Sequence, residues 1–216
     1  MSIDTGFDMR VGHDEKIKQS ALHESGHAMM YYYFKIPFIS VNIIPNEEKR
    51  IRGAITTKIN FSPESICNLL SCAERLKFIP VGIKILYAGP IAVIRDHLNS
   101  RGLGSEKIKN ITIHCGELDT DSDTYKNSDY NKIQELGKIF AKDYSAYCFP
   151  VPRENWTDEE VRNWLNELAL ESNSLVSEYW TEIEAIAAAL IERKTLTENE
   201  VKIVIQMEKI RKLKKD

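Results

Sequence analysis

Three residues within a five-residue span, His23, Glu24 and His27, have the types and spacing for metal-assisted hydrolysis. On an α-helix a step of four residues turns through about 400° and rises about 6 Å, so the two imidazoles stand one turn apart on one face. Neutral imidazoles placed that way can chelate one zinc ion at about 2.0–2.1 Å. Glu24 lies about 100° round the helix, turned away from the metal yet able to reach a water beside it, where a general base is needed. The histidine stripe continues through Met30, Tyr31 and Phe34, and the Glu24 stripe runs through Ile17, Ala21, Ala28 and Tyr31, so the polar groups sit on an apolar side. Buried without partners they would cost about a few kcal/mol each. A divalent cation with its water would partner all three.

The elements that must position these groups follow from capping and periodicity. The motif helix is expected from an N-cap at Asp14, with Glu15 against the positive helix end, to about Phe34, ahead of Pro37. The β-branched run Ile39 to Pro45 reads as a strand and Gly53 to Thr57 as a second, predicting a small antiparallel pair beside the motif helix. Ser62 followed by Pro63 starts a helix expected to reach about Phe78. Val81 to His97 reads as another, with Pro90 able to kink it and Ala88-Gly89 suited to close packing against the motif helix. Asn99 to Tyr125 reads as a long loop with one strand at Ile111 to Ile113, and Ser128-Asp129 caps a helix carrying Ile133, Leu136, Ile139 and Phe140 at helical spacing. Phe149 to Pro152 breaks the pattern. Thr157 with Glu160, and Thr197 with Glu200, form capping boxes that open a helical stretch to about Lys194 and a final helix with a solvated basic end.

The chain has 216 residues, 43% hydrophobic and 28% charged, enough for one substantial core and far from a disordered composition. A net charge of −3 gives no general electrostatic reason to expect nucleic acid or an anionic membrane as partner. Met1 to Thr5 lacks the apolar region of a secretory signal, and no uninterrupted apolar run reaches the roughly 18–20 residues of a membrane span, so a soluble cytoplasmic protein is expected. Cys67, Cys72, Cys115 and Cys148 show no Cys-x-x-Cys pairing and read as reduced thiols. His13, His97 and His114 each stand alone and read as surface or core residues.

Catalytic zinc takes three protein ligands and keeps a position for water, so one ligand remains to be found. The extended metzincin pattern is excluded, because Met30 and Tyr33 stand where it requires glycine and histidine. Glu64 and Glu74 sit in no recognisable motif, which leaves a downstream aspartate as the better candidate.

The block His23-Glu24-Ser25-Gly26-His27-Ala28, followed by Val41-Asn42-Ile43-Ile44-Pro45, resembles the peptidase domain of FtsH-type ATP-dependent zinc metalloproteases. The likeness continues through Ala88-Gly89-Pro90-Ile91-Ala92 and Ser128-Asp129-Tyr130, and more weakly through Glu184 to Leu190 and Leu196-Thr197, covering about residues 15 to 205. In that family two histidines and an aspartate at the start of a later helix hold zinc, which by position implies His23, His27 and Asp129, with Asp121 and Asp123 as rival third ligands. Glu24 matches the catalytic glutamate. Where the family usually carries an arginine and a glutamate in the small-residue helix, this chain has Pro90, Ile91 and Val93. A stand-alone peptidase domain is expected, without the family's ATPase module or membrane anchor.

These readings predict a mainly α domain with a small β-sheet, an α+β fold with the metal motif on a helix. Residues 1–150 would form the metallopeptidase core and 151–216 a C-terminal helical part of the same domain. The expected activity is zinc-dependent endopeptidase cleavage of peptides or unfolded protein segments, with the Val41 to Ile44 edge holding substrate by strand addition and a separate ATPase or further copies of the chain as partners. The alternative is a catalytically silent binding or regulatory protein that keeps the zinc site.

Overall fold

The computed structural model describes residues 12–44, 53–57, 61–102, 128–147 and 156–214. Its order is α1 (His13–Tyr33), β1 (Phe38–Asn42), β2 (Ala54–Thr57), α2 (Pro63–Leu69), α3 (Cys72–Ser100), α4 (Asp129–Tyr147), α5 (Asp158–Glu178), α6 (Trp180–Arg193), β3 (Thr195–Thr197) and α7 (Glu198–Leu213). These residues are mostly helical with one three-stranded antiparallel sheet, the α+β class expected. The expected loop and strand over 103–125, and the break at Phe149 to Pro152, lie outside the described residues. Two compact units divide inside α3 after Tyr87 and inside α5 after Ser172.

The unit that carries the motif holds α1, the sheet, α3 from Ala88, the end of α5, α6 and α7. Gly12, not Asp14, is the N-cap of α1; its carbonyl accepts from the Lys16 N–H at 3.1 Å, and Asp14 and Glu15 occupy the first turn, where negative charge favours the helix dipole. At the other end Lys35 takes a left-handed φ of 57°, and the Ile36 N–H donates to the Tyr31 carbonyl at 3.0 Å, turning the chain into β1. Ala21, Ala28, Met29 and Met30 of α1 are fully buried, and the helix packs on α6 and β1.

The sheet order is β2-β1-β3, with Val41 opposite both Ile55 and Leu196. The β1–β2 pair is the expected hairpin partner, but β3 joins on the other side, so β1 is central and has no free edge over Ser40 to Asn42. This overturns β1 as the strand to which an extended peptide adds. A three-residue strand directly before a helix cap is too short to carry an alternating pattern, which is why β3 escapes a reading by periodicity. The Thr197 hydroxyl and the Glu200 carboxylate exchange the reciprocal capping-box bonds predicted for α7. Buried Glu182 of α6 accepts from the Lys212 ammonium at 2.9 Å to each oxygen, tying α6 to α7.

The second unit holds α2, α3 to Tyr87, α4 and α5 to Ser172. Ser62 caps α2 as expected, accepting from the Ser65 N–H at 3.2 Å, but the helix stops at Leu69 and not near Phe78. The reason is a further cap: Ser71 N–H donates to Glu74 Oε2 at 2.8 Å and Glu74 N–H to Ser71 Oγ at 3.4 Å, starting α3 afresh. From there α3 runs unbroken through Pro80 and Pro90 to Ser100. Each internal proline costs about 3 kcal/mol, which burial of Ile79, Ile83, Ile85, Ala88 and Ala92 along the same helix offsets. Between Ile79 and Ile94 only Lys84 is charged, so α3 is long and apolar enough to cross a membrane by length and composition, although no uninterrupted run is; half of its most apolar window is buried within the protein. Phe140 of α4 stacks on Trp164 of α5 at 4.1 Å, and Gly137 allows Leu165 and Val161 to approach α4 closely.

Candidate metal centre

Helix α1 delivers the histidine pair as its spacing requires. The Nε2 atoms of His23 and His27 lie 3.0 Å apart, with ring centroids at 4.6 Å and planes at 86°. Two imidazole nitrogens therefore converge on one spot. His27 is 7% exposed and Glu24 8%, so both side chains leave water, as the apolar stripes predict.

Glycines make this approach possible. A Cβ on Gly26 would lie 2.5 Å from the Ala88 carbonyl oxygen, so α1 and α3 touch backbone to backbone at the motif. A Cβ on Gly89 would lie 2.5 Å from His27 Nε2, 2.6 Å from its Cε1 and 3.0 Å from His23 Cε1. The rings occupy the space that any side chain at 89 would fill. The close packing expected of Ala88-Gly89 is thus a seat for the two imidazoles. Further along the same pair of helices, the Lys18 ammonium donates to both oxygens of Asp96, at 2.9 and 2.6 Å, fixing the register of α1 on α3. Burial of the aliphatic stem opposes the charge, but the Asp96 hydrogen bond outweighs it and holds the Lys18 pKa above its ordinary value.

Glu24 is held from the sheet side. A Cβ on Gly53 would lie 2.7 Å from Glu24 Cγ, 2.9 Å from its Oε1 and 2.9 Å from the Asn42 carbonyl oxygen. Gly53 opens β2, so the strand passes against the carboxylate arm with no side chain between. Sequence reasoning missed this residue; the available signal was a glycine at the mouth of a short strand, which often marks close approach.

Among the described residues one group has the composition and spacing to hold a metal: His23, His27 and Asp129 offer one ligand atom each, all within 4.8 Å of one another. Asp129 opens α4, where Ser128 Oγ accepts from the Asn131 N–H at 3.2 Å as the cap, and the Lys132 ammonium stands 3.5 Å from Asp129 Oδ1. Two imidazoles and a carboxylate are an ordinary donor set for zinc. With ring nitrogens already converging and the seat at Gly89 shaped for them, the residues present fit such an ion. Glu64 and Glu74 are exposed and stand outside the group, as do the exposed His13 and His97. Asp121, Asp123, His114, Cys115 and Cys148 lie outside the described residues. Compared with known protein families and curated proteins, the chain matches no family model and no curated sequence.

Proposed function

We propose that this chain is a zinc-dependent metalloendopeptidase with the site plan of FtsH-type peptidase domains. The observation that carries the reading is the His23, His27 and Asp129 group with Glu24 one residue along the same helix. On this reading those three residues hold zinc, and Asp129 takes precedence over Asp121 and Asp123 as third ligand. Zinc, when bound, supplies Lewis acidity toward a scissile carbonyl and toward water. Glu24 does the proton work: its carboxylate accepts a proton from the attacking water and returns it to the leaving amine nitrogen as the C–N bond breaks. Burial on α1 and contact with Gly53 keep that carboxylate in one place.

With β1 interior, the strand offered to an extended substrate is β2, which stands at one side of the sheet order and begins at the glycine against Glu24. Peptides, flexible termini and unfolded segments suit such a strand; a folded substrate would have to be unfolded first. A cytoplasmic setting belongs to the same proposal.

The test pairs bound zinc per chain on metal-replete protein with cleavage of unfolded casein by wild type and Glu24→Gln. One zinc in both proteins, with cleavage by wild type alone, is expected. No zinc would sink the assignment, and one zinc without cleavage by either would favour a silent binding protein.

A further inference from the structure

Helix α4 brings a cation to the candidate metal centre together with the carboxylate. Lys132 follows Asp129 by three residues and so shares its face of the helix, and its ammonium stands 3.5 Å from Asp129 Oδ1. The Lys132 side chain is 31% exposed, against 18% for that of Asp129, so a ligand reaching the centre can meet it. Glu135, further along α4, is exposed and accepts from Asn131 at 3.4 Å; the ion pair that Lys132 makes among the described residues is the one with Asp129.

Charge counting decides what that ammonium can do. With Asp129 as a zinc ligand, its single negative charge is shared between the ion and Lys132. The two imidazoles bind as neutral groups, so a zinc dication is balanced by the carboxylates of Asp129 and Glu24, and the Lys132 charge is left over. Passing a proton from water to Glu24 moves charge within the site without changing its total, so the surplus persists through the proposed reaction. A surplus cation at a partly buried centre favours an anionic group on the ligand, and the anionic group that unmodified peptides carry is carboxylate.

We infer that Lys132 selects substrates with a carboxylate next to the scissile bond, supplied by an aspartate or glutamate side chain or by a free C-terminus. The inference rests on the zinc reading above and adds the substrate class to it. Lys132 is a specificity residue and not a ligand. An ammonium–carboxylate pair at a part-exposed position gives a preference of about 5-fold.

Isothermal titration of the zinc-loaded and zinc-free chain with four succinyl hydroxamates tests it without cleavage. The hydroxamate chelates zinc, and the group joined to the succinyl carbonyl is glutamate amide, glutamine amide, lysine amide or glutamine with a free carboxylate. On the zinc-loaded chain the glutamate amide and the free carboxylate should bind about 5-fold more tightly than glutamine amide, and lysine amide about 5-fold more weakly. Lys132→Gln should bring all four to within about 2-fold of one another, and Lys132→Glu should reverse the order. Zinc per chain and far-UV circular dichroism are read on each variant, with Lys132→Met as the second neutral one should Lys132→Gln lose metal. A Lys132-dependent preference for the glutamate amide alone places the carboxylate on a side chain, and one for the free carboxylate alone places it at the C-terminus. Equal binding of all four by wild type, or a preference that survives the neutral variant, would overturn the inference and leave the zinc site standing. Binding that ignores zinc, or no binding at all, would overturn the site reading and the inference with it.

Discussion

On the proposed zinc reading, replacing Gly89 by alanine should strip the metal from a protein that still folds. The new Cβ would stand 2.5 Å from His27 Nε2, against 3.4 Å for the near limit of an ordinary contact, so the ring must retreat by the difference, 0.9 Å. His23 is pressed as well, through its Cε1 at 3.0 Å. Zinc–ligand distances tolerate about ±0.2 Å, so a displacement of that size removes His27 from a shared coordination sphere. The loss in zinc affinity should be at least the roughly 10–100-fold seen when only the supports of a ligand are disturbed. Helix propensity works in the opposite direction, since alanine inside a helix is favoured over glycine by about 1 kcal/mol. The two effects are separable: competition against a chromophoric chelator reads metal affinity, and melting in excess chelator reads the stability of the metal-free fold. If Gly89→Ala keeps wild-type zinc affinity, the convergent ring nitrogens are not the metal ligands. Gly12→Ala, with open space around its Cβ, is the control and should leave affinity unchanged.

Gly53→Ala addresses Glu24 and its proposed role as base instead. Its Cβ must clear Glu24 Cγ, now 2.7 Å away, by about the same reasoning, and on the proposed mechanism moving that carboxylate by the better part of an ångström should lower kcat about 100-fold; zinc occupancy should stay at wild-type level, and an unchanged kcat would show that Gly53 does not position Glu24. Asp129→Ala should lose zinc, whereas Lys132→Ala should keep it; full occupancy in Asp129→Ala would pass the third-ligand role to Asp121 or Asp123. The capping box of α7 carries a pH signature. The Thr197 backbone N–H, then its hydroxyl, then Arg193 hold Glu200 at a pKa of about 2, below its ordinary 4.5, so the unfolded chain binds the proton more readily. The contribution of Glu200 is complete above pH 4.5 and disappears as pH falls from 4.5 to 2, and thermal melts of Glu200→Gln should lack that part of the wild-type acid sensitivity.

What local sequence dictates was legible where one residue acts on its own neighbourhood. The four-residue spacing of His23 and His27, the serine and threonine caps of α2, α4, α5 and α7, and the β-branched run of β1 each act within a turn or two of chain. The burial of Glu24 and His27 followed from stripes on one helix. Propensity misled where two local signals competed: Pro80 and Pro90 suggested breaks, but Ser71 with Glu74 placed the break earlier and the apolar faces of α3 carried the helix through both prolines.

The residues that crowd the site belong to another kind of information. Nothing local distinguishes Gly53 from a loop glycine or Gly89 from a helix defect. Their role exists only once β2 lies against Glu24 and α3 against the imidazoles, because a missing Cβ matters only when another atom claims its volume. The central position of β1 likewise depends on β3 returning from more than 150 residues downstream to pair with it, a long-range pairing that no window of sequence contains. The sequence by itself determined which atoms could bind metal and move a proton, since side-chain chemistry and helical spacing are local. Only the tertiary structure decided which of them meet, which glycines must stay empty for that meeting, and which strand lies against Glu24, since packing is a property of chain segments brought together from afar.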